Sequence, residues 1–248
     1  IRYMASFLEK GNIAKARATA ERALETIHFR EEKERMNIWL AYLNLERTNR
    51  GSTESVMGLF HRAVLCNEPK KLHLAFLKVL EAAQETEIGD LVLKSMRRRF
   101  HSSAKVVIQE LHYWLSTNRG GNCKRTLDSA LQILPKRKHV KVIVQAGVLE
   151  FKIGRLERGR DIFEGLLSCY PKRMDLWNVY LDQELTKGDT DRTRALFERV
   201  SSINGGLKRM KWIFKRYLQF EIQHGTQKAA EHVKEKAKQY IAQKNENA

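Results

Sequence analysis

Apolar and aromatic side chains recur along the chain at the spacing of an α-helix, in segments separated by short polar breaks. Trp39, Tyr42 and Glu46 stand three and seven residues apart, which places their side chains on one face of a helix. Two later segments repeat this arrangement, one of them with phenylalanine in place of tryptophan: Trp177, Tyr180 and Glu184, then Phe214, Tyr217 and Glu221. The repetition predicts a series of similar helical units.

Three further segments keep this register and lose some of its residues: Ile143, Ala146 and Glu150; His73, Phe76 and Leu80; Val107, Glu110 and Trp114. The six copies begin at residues 39, 73, 107, 143, 177 and 214, so successive copies lie 34 to 37 residues apart. A period of this length is typical of helix–turn–helix repeats, which bury a continuous core by stacking on one another.

A second pattern falls between the copies of the first. Phe60, Phe163 and Phe197 occupy equivalent places, and Ala20 takes that place in the opening unit. We expect Val92 and Leu127 to fill it in the intervening units. Each unit therefore has a first helix with the Trp-Tyr-Glu signature and a second helix with one aromatic position. The second-helix aromatic is expected to contact the following unit, and the first-helix aromatic to fill the gap within its own unit.

Glycines and prolines mark two different kinds of connection. Seven glycines fall between the two helices of a unit, where a left-handed backbone conformation closes a tight turn: Gly11, Gly51, Gly89, Gly120, Gly154, Gly188 and Gly225. Three prolines fall between one unit and the next, outside helix interiors: Pro69, Pro135 and Pro171. The alternation predicts seven helix pairs.

The predicted first helices lie near residues 1–10, 36–48, 70–84, 104–117, 139–152, 174–186 and 208–223. The predicted second helices lie near 12–27, 53–66, 87–100, 122–134, 156–169, 190–203 and 227–243. The charged stretch from Phe29 to Arg35 is predicted to be a longer connection between the first two units. The predicted fold class is all-α, a right-handed α-solenoid of about seven repeats.

Composition adds a charge imbalance to this picture. The 248 residues include 46 Lys+Arg and 29 Asp+Glu, a formal net charge of +17, which indicates an acidic partner such as nucleic acid or an acidic protein surface. Hydrophobic residues make up 42% of the chain, enough for a single repeat domain over residues 1–248. No apolar run approaches the roughly 18 residues that span a bilayer, so no membrane partner is expected. Ile1 begins in mid-pattern, so we expect a fragment of a longer chain.

The Trp-Tyr-Glu helix, the short turn and a second helix carrying Phe-Glu-Arg resemble the HAT (half-a-TPR) repeat, which is known from RNA-processing proteins. The units at Trp39, Trp177 and Phe214 match well, and those at His73 and Val107 match poorly. The resemblance covers essentially the whole chain. It implies a HAT/TPR-like solenoid that acts as an interaction scaffold without catalytic activity.

Five segments resemble more closely the C-terminal HAT domain of a family of factors that process precursor ribosomal RNA: residues 170–177, 1–5, 16–24, 208–211 and 214–218. In that family, RNA-binding domains of the OB fold precede the HAT repeats. The resemblance implies a C-terminal fragment that works in the nucleus, in the nucleolus, on precursor cleavage and assembly of the small-subunit processome. The implied partners are proteins of a pre-ribosomal particle, with precursor ribosomal RNA or small nucleolar RNA as RNA partners.

The sequence contains no recognisable pattern of residues for catalysis, metal binding or cofactor binding. No P-loop, Rossmann glycine fingerprint, His-Glu-x-x-His or Gly-x-Ser-x-Gly is present. Cys66, Cys123 and Cys169 are far apart and odd in number, which gives neither a disulfide framework nor a zinc spacing. The sequence therefore predicts no enzyme, no metal site and no cofactor.

Clusters of basic residues are the candidate binding site for RNA or an acidic partner: Lys94, Arg97, Arg98 and Arg99; Lys136, Arg137 and Lys138; Lys172 and Arg173; Lys208, Arg209, Lys211, Lys215 and Arg216. Most lie at or beside connections between successive repeats. Equivalent connections stack along one edge of a solenoid, so the clusters are expected to form a basic stripe that follows a phosphate backbone or an acidic segment. The alternative for any one cluster is a solvated face.

Aromatic residues at repeat spacing are expected in the core and not in base stacking. Trp114 and Trp212 fit the repeat least well, so partial exposure is expected for either.

Two rival functions stay open: a HAT scaffold of messenger-RNA 3′-end processing or the spliceosome, and a module that binds RNA by charge alone. Homodimerisation also stays open, with the eroded units around His73 and Val107 as the place where the superhelix bends or a partner docks.

Overall fold

The computed structural model describes residues 1–28, 30–49, 51–187, 189–203 and 205–246, and this part of the chain forms fourteen α-helices and no strand. The fold is an all-α solenoid of helix pairs. The chain divides into two compact units, Ile1–Val142 and Ile143–Ala248. Odd-numbered helices are the first helices of the repeats and even-numbered helices are the second.

The first unit contains eight complete helices: α1 (Arg2–Glu9), α2 (Ile13–Thr26), α3 (Glu32–Thr48), α4 (Thr53–Cys66), α5 (Pro69–Ala82), α6 (Thr86–Phe100), α7 (Ala104–Ser116) and α8 (Asn122–Ile133). The unit boundary falls within α9 (Lys136–Ile153). The second unit continues with α10 (Leu156–Cys169), α11 (Met174–Lys187), α12 (Thr190–Ser201), α13 (Leu207–His224) and α14 (Gln227–Glu246).

All fourteen predicted helices are present, and two of them begin three or more residues earlier than predicted. The connection predicted from Phe29 to Arg35 is wrong at its end, because α3 already begins at Glu32. Glu32 and Glu34 lie in the first turn of α3, where negative charge is favourable beside the positive end of the helix dipole. Phe29 lies outside the described residues. Helix α9 begins at Lys136, directly after Pro135, and not near residue 139.

The turn glycines behave as predicted at two positions and differently at others. Gly11 and Gly154 have φ values of +69° and +88°, the left-handed conformation that glycine adopts without strain. In the third and fourth repeats this conformation belongs to Gln84 and Asn118, at φ values of 58° and 57°, and not to Gly89 and Gly120. The prediction for Gly188 falls on a residue outside the described part of the chain.

Gly89 lies inside α6 for a packing reason. A Cβ atom at this position would overlap the ring and hydroxyl of Tyr113 on α7. Tyr113 is fully buried, and its hydroxyl donates to the Asp90 carboxylate at 2.8 Å. Gly89 therefore permits close contact between α6 and α7. The sequence pattern had predicted this glycine to lie in a turn between two helices.

In three repeats an aromatic side chain of the second helix contacts an aromatic ring of the following first helix, as the sequence predicts. The ring of Phe60 on α4 stacks on Phe76 of α5 with centroids 5.2 Å apart. In the second unit the pairs are Phe163 with Tyr180 at 5.0 Å and Phe197 with Tyr217 at 4.9 Å. All twelve signature residues named from the sequence are buried: Trp39, Tyr42, Glu46, Phe60, Phe163, Trp177, Tyr180, Glu184, Phe197, Phe214, Tyr217 and Glu221.

The signature glutamates are buried because arginines reach them from the preceding second helix. Arg160 on α10 donates to both carboxylate oxygens of Glu184 on α11, at 2.6 and 2.8 Å. The same bidentate geometry joins two further pairs, Arg17 with Glu46 and Arg194 with Glu221. A buried carboxylate needs such a partner, since an unpaired one loses its hydration without compensation. Each of these arginines is the fifth residue of its helix.

A second polar network explains the Glu-Arg pair that follows the second-helix aromatic position. Glu164 on α10 accepts two hydrogen bonds from Arg199 on α12, at 2.7 and 2.8 Å. Arg199 also lies over the Trp177 ring, 5.3 Å from its centroid. Glu21 makes the equivalent pair with Arg62, and these donors hold the pKa of Glu21 below its usual range. The network therefore connects second helices of successive repeats.

The middle repeats lack the buried arginine pairs. The fifth residue of α8 is Thr126, whose hydroxyl donates to the Glu110 carboxylate at 2.9 Å. Glu150 on α9 is 5% exposed, and its Oε2 has no hydrogen-bond partner among the described residues. Burial raises the pKa of Glu150, and the charges of the nearby Arg155 and Arg158 oppose this shift only in part. Erosion of the sequence signature thus coincides with loss of the bidentate arginine–glutamate pairs, although Arg97 still forms an ion pair with Glu110.

None of the described helices combines the length and the apolar character needed to cross a membrane. Among the described residues, no three His, Cys, Asp or Glu side chains are grouped so as to hold a metal ion.

Replacement of Trp177 by alanine should lower the free energy of unfolding by about 3–5 kcal/mol, since it removes a large buried ring and leaves a cavity. The control is Trp212→Ala, because Trp212 is 45% exposed and surface substitutions change stability by about 0.5 kcal/mol or less. Urea unfolding followed by circular dichroism measures both. A Trp177→Ala midpoint equal to that of the Trp212→Ala control would contradict the core assignment.

Two isosteric substitutions should have opposite effects on stability at neutral pH. Glu184→Gln breaks a buried ion pair and should destabilise by about 3 kcal/mol, since the buried Arg160 guanidinium then keeps only its more exposed partners Glu157 and Asp189. Glu150→Gln removes an unpaired buried charge and should stabilise by about 1 kcal/mol.

The Glu150 effect also has a defined pH dependence. Its folded pKa lies above its ordinary value near 4.5, so the folded state binds the proton more tightly and the penalty is complete only above that raised pKa. The advantage of Glu150→Gln over the parent should therefore shrink as the pH falls from neutral through the raised pKa. Thermal melts at several pH values measure it, and a constant advantage would contradict the assignment.

Candidate functional site

The predicted basic residues lie at the ends of helices that meet between repeats. Lys94 and residues 97–99 occupy the last turns of α6, and residues 136–138 occupy the first turn of α9. Lys172 and Arg173 precede α11, while Lys208, Arg209 and Lys211 begin α13. Twelve of the fourteen side chains are exposed, and Lys138 and Arg216 are half-buried. The helix start at Lys136 places that cluster on a helix and not in the connection before it.

In the first unit, one hydrogen bond holds the second cluster against the loop that follows the first cluster. The Lys138 ammonium donates to the Ser102 carbonyl oxygen at 3.0 Å, so the start of α9 lies against the loop that follows α6. We call the seven cations here the first basic surface: Lys94, Arg97, Arg98, Arg99, Lys136, Arg137 and Lys138. A cavity of about 300 Å³ beside it is lined by Arg97, Arg98 and residues of α7 and α8.

One member of the first basic surface already has a counter-charge. Arg97 lies 3.3 Å from the buried carboxylate of Glu110. The same carboxylate accepts hydrogen bonds from Trp114 and Thr126, at 3.2 and 2.9 Å. Arg97 therefore anchors the end of α6 to α7, and the exposed charge of the surface belongs mainly to its other members.

In the second unit, the remaining two clusters meet around one cavity. We call these seven cations the second basic surface: Lys172, Arg173, Lys208, Arg209, Lys211, Lys215 and Arg216. The cavity measures about 740 Å³ and lies between the starts of α11 and α13. Its lining includes four of the cations, Lys172, Arg173, Lys208 and Arg209, and one acid, Asp175. Lys211 and Lys215 are exposed on α13 and do not line the cavity.

Charge pairing divides the second basic surface into two groups. Arg173 donates to both oxygens of the Asp175 carboxylate, at 3.2 and 2.5 Å, and this interaction lowers the pKa of Asp175. Arg216 donates to Asp182 on α11 at 2.5 Å. Lys172, Lys208 and Arg209 have no ion-pair partner in the part of the chain that the structure describes, so their charge faces the cavity region uncompensated.

Trp212 lines the same cavity and is 45% exposed, in agreement with the partial exposure expected for it. Its position in sequence explains why. Phe214 faces the core of the repeat, and two residues earlier on a helix points about 200° away from that face. The Arg216 guanidinium lies over the indole ring, 4.7 Å from the ring centroid. The remaining tryptophan, Trp114, is half-buried.

Sequence reasoning missed the residues that neutralise or support these cations. Asp175 and Asp182 were not singled out, and neither was Asn178, which lines the second cavity. The signal for the arginines that pair with the buried glutamates was available, because Arg17, Arg160 and Arg194 share one place in their helices. No comparable spacing indicates the surface pairs, which depend on side-chain conformation.

The arrangement as a whole is suited to bind anions. Exposed guanidinium and ammonium groups contact phosphates or carboxylates through charge-assisted hydrogen bonds. Both basic surfaces lie where one repeat leads to the next, the place predicted for them, although each belongs to its own compact unit.

Comparison with known proteins shows where similar chains occur. The family model described as Suppressor of forked protein (Suf) matches residues 132–248. The rRNA biogenesis protein RRP5 of Arabidopsis thaliana is 44% identical over 241 residues, which are 97% of this chain and 12% of the plant protein. The Protein RRP5 homolog of Mus musculus is 43% identical over 99% of this chain and 13% of its own length. The chain thus spans about an eighth of the length of these relatives.

A more distant similarity extends to a splicing protein. The pre-mRNA-splicing factor clf-1 of Neurospora crassa is 24% identical over 88% of this chain and 33% of its own length. The lower identity and coverage make this relative a poorer match than the two above.

Proposed function

The chain is homologous, over nearly its whole length, to a segment of the RRP5 proteins of rRNA biogenesis, and from this relationship we propose that it is a non-catalytic interaction scaffold in ribosome biogenesis. In this role it supports precursor ribosomal RNA processing and small-subunit processome assembly. Its partners are proteins of a pre-ribosomal particle together with precursor ribosomal RNA or small nucleolar RNA. Its place of action is the nucleolus.

The uncompensated cations between repeats are the observation that supports binding. The repeats use much of their acidic content internally, in pairs such as Arg160 with Glu184 and Arg199 with Glu164. Cations such as Lys208 and Arg209 have no such partner among the described residues and are exposed. We assign the binding of an acidic partner to the first and second basic surfaces, with the aromatic core holding them in place.

The rival scaffold function in messenger-RNA 3′-end processing or the spliceosome has less support. The splicing relative is 24% identical, against 44% and 43% for the two relatives from ribosome biogenesis. The other rival, a module that binds RNA by charge alone, predicts binding without preference for any protein of the particle. Crosslinking in a nucleolar extract separates these possibilities.

The first test replaces three cations of each basic surface by alanine, as Lys94, Arg98 and Arg99 or as Lys172, Lys208 and Arg209. Each triple variant should lose a large part of the crosslinks that the parent chain forms with proteins and RNA of pre-ribosomal particles, because the contact charge is removed. The control removes the same charge from exposed positions of α14: Lys228, Lys234 and Lys238. Equal losses in the control, or crosslinks only to spliceosomal proteins, would contradict the proposal.

The second test measures RNA affinity of the chain across a salt series. If phosphates bind the basic surfaces, the logarithm of the association constant should fall linearly with the logarithm of the salt concentration, by roughly 0.7 per phosphate contact on a single strand. Gel-shift titration of the parent and both triple variants gives these slopes. A flat response in the parent chain would exclude RNA as the charged partner and leave an acidic protein segment.

A further inference from the structure

We propose that the cavity of the second basic surface binds single-stranded RNA, with one base stacked on Trp212 and the flanking phosphates held by Lys172, Lys208 and Arg209. The inference rests on the proposed function and goes further, because it names one site, one class of ligand and the residue that would distinguish stacking from charge attraction.

Exposure of Trp212 is the first observation that indicates a ligand. Trp39 and Trp177 are buried in the repeat core at 3% and 4% exposure, whereas Trp212 is 45% exposed and lines a cavity. An indole ring that borders a cavity offers a flat apolar surface to a nucleobase, and any of the bases can stack on it.

The ring is also held in place. Arg216 lies over the indole at 4.7 Å and is fixed by its hydrogen bond to Asp182 on α11. A planar group stacked in this way restricts rotation of the ring, so less conformational entropy is lost when a base binds. Arg216 therefore acts through Trp212, and its own charge is already paired.

Three unpaired cations surround the stacking surface. Lys172 comes from the loop before α11, and Lys208 and Arg209 come from the first turn of α13. They belong to adjacent repeats, so a strand that enters the cavity meets positive charge from both repeats. Aromatic rings combined with a basic groove are the usual means of holding single-stranded nucleic acid.

The beginning of α13 adds to the positive potential. Its N-cap residue, Gly206, provides no side-chain hydrogen bond, and no acid lies in its first turn. Helix α12 of the same unit differs, because Asp189 caps it and Asp191 lies in its first turn. The first backbone N–H groups of α13 thus retain the partial positive charge that favours a phosphate.

Asn178 gives the cavity a polar group besides its charges. It lines the cavity, and its Oδ1 atom has no hydrogen-bond partner among the described residues.

Single-stranded RNA fits these observations better than an acidic peptide does. Carboxylates would satisfy the three cations, but they have no planar face for Trp212. Duplex RNA presents its phosphates and keeps its bases stacked on each other, so it would also leave the indole without a partner.

The test compares tryptophan and charge variants of the whole 248-residue chain, using fluorescence anisotropy with an unstructured RNA of about 12 nucleotides. Trp212→Ala should weaken binding about tenfold without changing the salt slope, while Trp212→Phe keeps most of the affinity. Lys208→Ala with Arg209→Ala should weaken binding and also reduce the slope by roughly 0.7 for each cation.

Matched controls are available in the same chain. Tyr3→Ala removes an aromatic ring that is 77% exposed and lies in the other unit, and it should leave binding unchanged. Lys187→Ala removes one charge from the far end of α11 and should also leave binding unchanged. Melting temperatures of all variants show whether any loss of affinity comes from unfolding.

Three results would overturn the site: parental affinity in Trp212→Ala, duplex RNA that binds as tightly as the single strand, or a polyglutamate peptide of equal charge that competes equally well for parent and Trp212→Ala. The last result would assign the cavity to an acidic peptide. None of them alone would contradict the scaffold function, whose own readout is crosslinking to pre-ribosomal particles. Loss of those crosslinks in the triple variants together with an unchanged Trp212→Ala would therefore reject only the stacking site.

Discussion

The bidentate pair between an arginine of one second helix and the buried glutamate of the next first helix is the interaction on which the repeat depends. Arg17 with Glu46, Arg160 with Glu184 and Arg194 with Glu221 have the same geometry in both compact units. A carboxylate at this depth is unfavourable without its cation, so the pair fixes which helix follows and in what register. The stacked aromatic rings then fill the space that the pairs define. In the repeat of Glu150, which has no such partner, the aromatic positions of the signature hold Ile143 and Ala146.

The pairing of acids with arginines inside the repeats determines which charges remain exposed on the surface. The acids that pair within and between repeats are removed from contact with a partner, whereas many cations at the repeat edges have no acid beside them in the described part of the chain. Cations without an acid beside them therefore gather at the two basic surfaces, and further exposed cations such as Lys228, Lys234 and Lys238 lie on α14. A repeat array of this kind can keep its core constant while its edges change, because the residues that stack the repeats and the residues exposed at their edges are different.

The sequence predicted the helices, their pairing and the buried signature because these depend on local periodicity and on one repeated interface. It was wrong about Gly89, since a glycine that permits helix contact and a glycine that closes a turn are identical in sequence. It also ended the first connection too late, because charge in the first turn of α3 resembled a polar loop. Exposure of Trp212 was only partly predictable, and its cavity was not, because the cavity forms from residues of two repeats. Pairs such as Arg216 with Asp182 depend on side-chain conformations that no spacing specifies.

The link from Asp182 through Arg216 to Trp212 has a mechanical consequence. It crosses from α11 to α13, the first helices of adjacent repeats, so the tilt of the indole is coupled to the distance between those repeats. Solenoids flex by small changes at each interface between repeats, and such a change would widen or narrow the cavity that these helices enclose. A molecule bound there would in turn resist the bending of this part of the chain. Ligand affinity and local stiffness are thus two measures of the same contact.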